Sequence, residues 1–131
     1  MIAAERARFD ALLEEVIEAL PEHLRAKLEE VPLIVDDRPS AAVLRSMGLP
    51  PDELLCGLHT GVPLTERSVE HSGLMPEEIR IYREGIVDLA GGWDQEEADD
   101  IVFDEIWVTV LHEMGHHFGL GEKDLEDLGY E

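Results

Sequence analysis

Residues 94–119 read DQEEADDIVFDEIWVTVLHEMGHHFG, and this stretch sets the architecture. Gly91-Gly92 interrupts the chain just before it. Asp94 is a good N-cap, and Glu97 stands three residues on, in capping-box position. The acids of the first turns suit the positive end of a helix dipole. Val102, Phe103, Ile106, Val110 and Met114 recur at helical spacing and predict one buried side. The helix should therefore run from about Gln95 to Phe118. Gly119 is then free to take the left-handed conformation that ends it.

Working outward, the N-terminal segment is also helical by period. Phe9, Leu12, Leu13, Val16, Ile17 and Leu20 form one apolar stripe. Pro21 fits the first turn of a second helix to about Glu30, with Leu24 and Leu28 turned to the core. Val31 to Val35 is short, β-branched and closed by Asp36-Asp37-Arg38-Pro39, which predicts a strand and a turn. A second short strand is expected within Leu54 to Thr60, and an extended edge at Gly61 to Thr65. Ile79 to Tyr82 alternates, and Ile86-Val87 after Gly85 reads as its continuation, a third strand.

Composition narrows the function classes. The 131 residues carry 10 basic and 31 acidic side chains, a formal charge of −21, with 44% hydrophobic residues. That length predicts a single domain over residues 1–131. Nucleic-acid binding needs clustered Lys and Arg, so no nucleic-acid partner is expected, and an anionic membrane surface is excluded on the same ground. Cys56 is the lone cysteine, which rules out an internal disulfide and a cysteine-based zinc site. No stretch resembles a signal peptide or a membrane span, so a cytoplasmic protein is expected.

The chemistry lies in His112-Glu113-Met114-Gly115-His116-His117. His112 and His116 are four apart and project from one face of a helix, one turn above the other. Two imidazoles so placed can hold one zinc ion. Glu113 leans to the side of such a metal, where it can reach a water without taking a ligand position, as a general base must. Glu122 follows His116 by six residues, beyond the glycine exit. The string H-E-x-x-H-x-x-G-x-x-E matches the elongated zinc motif of the metzincins, with a carboxylate in place of the last histidine. Asp124 and Glu126 stand close enough to replace Glu122 as third ligand. The bland reading, surface histidines on an amphipathic helix, leaves the glycine exit and the distal carboxylate unexplained. His117 points about 100° away from His116 and is not expected to be a ligand. His23, His59 and His71 read as ordinary positions. Glu105 and Thr109 share the histidine face, either as supports or as ordinary surface.

The run HEMGHHFGLGE, the segment GVPLTERS (Gly61 to Ser68) and EEIRIYREGI (Glu77 to Ile86) together resemble the short bacterial zincin-like metallopeptidase family. The likeness covers most of the chain, from the Leu20-Pro21-Glu22 step onward and including the helix before it. It implies an α+β fold, a small mixed β-sheet packed beside a long active-site helix. It also implies Zn2+ as cofactor, His112, His116 and Glu122 as metal ligands, Glu113 as catalytic base, and a peptide or protein substrate. Family members usually have aspartate where this chain has Glu122, one methylene longer. His59 replaces an expected tyrosine. Only nine residues follow Glu122, none of them Met. The floor of a full-size cleft and its methionine turn are therefore not expected. A substrate would bind along the upper sheet, by adding a strand near Val62 to Thr65. Tyr82 and Tyr130 are the available oxyanion donors, although packing roles fit both better. The rival reading is a non-catalytic, metal-stabilised interaction domain that keeps the site without a working cleft.

Overall fold

The computed structural model describes residues 1–60 and 78–118. Helix α1 (Ala3–Ala19) and the short α2 (Glu22–Lys27) lead into strand β1 (Leu33–Asp36). Helix α3 (Ala41–Ser46) and strand β2 (Gly57–Thr60) follow, then strand β3 (Glu78–Tyr82), helix α4 (Arg83–Ala90) and helix α5 (Ala98–Phe118). The sheet order is β1-β3-β2. β1 runs parallel to β3, with Leu33 opposite Ile79 and Val35 opposite Ile81, while β2 runs antiparallel, with Gly57 opposite Ile81. The fold is thus α+β with a small mixed sheet, as expected.

The apolar stripe of α1 is the one read from the sequence. Phe9, Leu12, Leu13 and Val16 are buried and Ile17 partly so. They pack with Ile79 and Ile81 of β3, Ile86 and Val87 of α4, and Val102, Ile106, Val110 and Met114 of α5 in one core. Each large side chain so enclosed contributes about 1.5–3 kcal/mol through removal of apolar surface from water. Phe103 is only partly buried and stacks on Trp107, with ring centroids 6.4 Å apart and planes 15° from parallel.

Three expectations need correcting. The segment after Tyr82 does not continue β3. Tyr82 ends the strand as the N-cap of α4, and Ile86, Val87 and Ala90 are buried at helical spacing. Gly85 permits this, because a Cβ there would run into the Leu55 carbonyl oxygen. The long helix begins at Ala98, not near Gln95. Glu97 has a φ of 58°, which breaks the helical path. The Gln95 amide instead donates to the carbonyls of Ala90 and Gly92, at 2.7 and 2.8 Å, closing the end of α4. Pro21 caps α2 from outside and is not in its first turn. Helix α3 is an addition; its Ser40 hydroxyl accepts from the Val43 N–H at 3.2 Å. The expected edge at Gly61 to Thr65 and the Gly119 exit lie outside the described residues.

One charged network ties the first helix to the sheet. Arg83, the first residue of α4, donates to both Asp10 oxygens at 2.9 and 3.0 Å and to Asp37 at 2.9 Å. Arg6 grips the same Asp37 at 2.7 and 3.1 Å. The guanidinium of Arg6, seconded by Arg83, holds the Asp37 carboxyl at a pKa of about 2 in spite of the partial burial that opposes it.

Candidate metal centre

α5 is enclosed along Val102, Ile106, Val110 and Met114, each fully buried. At 100° per residue, that leaves His112 and His116 on the open side of the helix. Their Nε2 atoms stand 2.9 Å apart and the rings meet edge to face, with centroids 4.5 Å apart. Two nitrogens on one tetrahedral zinc at about 2.0–2.1 Å stand about 3.4 Å from each other, and 2.9 Å corresponds to about 90° at the metal. A small ring movement therefore suffices, and the pair fits zinc.

Glu113 lies a further 100° around the helix, at the border between its open and packed sides. It is 8% exposed. Its side chain rests on β2, so close that a Cβ at Gly57 would stand 2.9 Å from the Glu113 Cγ. Burial raises the Glu113 pKa above the ordinary carboxylate value, while the neighbouring His116 pulls against that rise. Among the described residues no hydrogen bond or ion pair reaches its carboxylate.

Thr109, one turn below Glu113, is 7% exposed and belongs to the packed side, whereas Glu105 is half-buried. Cys56, just before Gly57, is partly buried. Burial pushes its thiol pKa up, and the charges of Glu105, Asp88 and Glu113 add to the effect. Tyr82 is 1% exposed, and strand alternation sets it on the face opposite Ile79 and Ile81. Its burial raises its pKa although Arg80 opposes the shift.

The structure thus brings together three of the four site residues read from the sequence, His112, Glu113 and His116. Glu122, its alternatives Asp124 and Glu126, and Tyr130 lie outside the described residues. Among the described residues no group of three His, Cys, Asp or Glu side chains is arranged to hold a metal ion together. Sequence reasoning passed over Gly57. The available signal was an isolated glycine inside a predicted strand, which commonly marks the close approach of another element.

The chain belongs to the zincin-like metallopeptidase family, whose model matches residues 28–130. Helices α1 and α2 precede the matched stretch, yet α1 supplies Phe9, Leu12, Leu13 and Val16 to the shared core. No curated protein matches the chain. Among the described residues, no helix is long and apolar enough to cross a membrane.

Proposed function

We propose that the chain is a zinc-dependent metallopeptidase, a single domain in which His112, His116 and Glu122 hold the metal and Glu113 is the general base. The observation that carries this reading is the convergence of the two histidine nitrogens beside a buried glutamate with no partner among the described residues. Zinc, when bound, supplies Lewis acidity that lowers the pKa of water toward neutrality and polarises a carbonyl. Glu113 accepts the proton of the attacking water and hands it to the departing amine, so that water adds across the peptide bond. Its enclosure against Gly57 keeps the carboxylate from being fully solvated. A peptide adds as a strand to the sheet near Val62 to Thr65, the stretch that follows β2 in the sequence. The acidic surface disfavours nucleic acid and anionic membrane as partners, and the lone cysteine suits a cytoplasmic location.

The test is metal content after dialysis against metal-free buffer, followed by exposure to a fluorescence-quenched peptide library. About one zinc per chain is expected, together with cleavage of some library members. Glu122→Ala should weaken zinc binding by about tenfold or more; unchanged affinity moves the third ligand to Asp124 or Glu126. A chain that neither retains nor takes up zinc overturns the reading.

A further inference from the structure

The approach of β2 to α5 singles out a residue that the zinc motif does not contain. An added Cβ at Gly57 would stand 2.9 Å from the Glu113 Cγ and 3.2 Å from both its Cδ and Oε1. Ordinary carbon–carbon contact is about 3.5–4.0 Å, so one of the two partners would have to move. The strand cannot. Gly57 is paired with Ile81 across the antiparallel ladder, and the Cys56 carbonyl accepts from the Tyr82 N–H at 2.9 Å. Behind it, the Leu55 carbonyl already lies against Gly85 with no room for a Cβ on that helix. Residues 55–57 are therefore wedged between two helices by a pair of glycines, one on each side. The glutamate side chain has three rotatable bonds and is the part that yields.

We infer that Gly57 is a positioning residue, whose bare Cα determines where the Glu113 carboxylate stands. The inference rests on the base role proposed for Glu113 but adds a residue on a different element. The strand backbone at Gly57 bounds the carboxylate sterically on a side where no described hydrogen bond holds it. A methyl group at position 57 leaves the histidines untouched and displaces the base. Misplacing a reacting group by about an ångström costs on the order of 10²-fold in rate.

Gly57→Ala tests this in the zinc-loaded full chain. Its crystal structure should show the Glu113 carboxyl displaced while His112 and His116 keep their places; a carboxyl in its original position overturns the inference. On the fastest-cleaved peptide of the quenched library, kcat should fall about 10²-fold, with KM and zinc stoichiometry retained. A fall carried by KM, or by lost zinc, overturns it as well. If Gly57→Ala does not fold, Gly57→Ala/Glu113→Ala should, because it removes the Cγ, Cδ and Oε1 that the methyl would meet. A double variant that also fails to fold locates the obstruction elsewhere and overturns the inference. If the native chain cleaves no peptide, the hydrolase reading fails on its own, and the position of the carboxyl still decides the role of Gly57.

Discussion

Arg83 and Glu113 are the two buried charged side chains among the described residues, 9% and 8% exposed, and the fold treats them in opposite ways. Arg83 has its guanidinium filled by Asp10 and Asp37, at 2.9–3.0 Å. Glu113 has a glycine backbone and no described donor. A buried charge without partners is costly, and its ordinary remedy is the one applied to Arg83. On the proposed function, the difference separates a charge kept for structure from one kept for chemistry. The first is matched, and the second has no partner among the described residues, as suits a base that must keep its lone pairs available.

The largest effect that would break this contrast is at Glu113. Glu113→Gln keeps the shape but cannot take a proton, so hydrolysis should fall by about 10²–10⁴-fold with zinc retained. The same variant should leave the metal-free chain as stable as the parent or more so, since a neutral amide is cheaper to bury than an unpaired carboxylate. Urea melts and peptide cleavage on one preparation measure both. Retained activity, or a clear loss of stability, would put Glu113 in the same class as Arg83.

Arg83→Met should do the reverse, leaving the zinc site intact and lowering stability by about 2–3 kcal/mol in urea melts. Losing one partner of a fully buried pair costs about 3–5 kcal/mol. The expected loss is smaller here because the Asp10 and Asp37 side chains are 47% and 26% exposed and can recover water. A loss below about 0.5 kcal/mol would mean that the network only decorates the surface.

The same contrast explains what was legible in the sequence. Helical period and the i, i+4 histidines are local, so α1, the buried side of α5 and the convergence of His112 on His116 could all be read from single segments. Residues whose role depends on a distant partner could not. Gly85 read as an interruption in a strand, because the Leu55 carbonyl that makes it necessary lies thirty residues upstream. Gln95 read as the start of a helix, when its amide serves the end of the preceding one. Gly57 offered only its place as an isolated glycine inside a predicted strand, which does not say what approaches it. Arg83 carries no local signal of its role, which depends on Asp10 in α1 and on Asp37 just after β1.

The smallest effect concerns acid. Asp37 titrates at about 2 in the folded chain against a reference of 3.8, owing first to the hydrogen bonds from Arg6 and then to those from Arg83. A folded pKa below the unfolded one means that the unfolded chain binds the proton more readily. The stabilisation is therefore complete above about pH 4 and disappears as pH falls toward 2. Arg6→Gln removes the larger cause, so the folded pKa should move back toward 3.8 and the acid-dependent slope in that window should flatten. Stability near neutral pH should change little, because Asp37 stays in contact with Arg83, and exposed pairs contribute about 0–1 kcal/mol. Melts of parent and variant between pH 2 and 5 in low salt resolve the slope. An unchanged slope would assign the depression of Asp37 to Arg83 alone, and the structural charge would then be a single buried arginine with two carboxylates, not a chain of four groups.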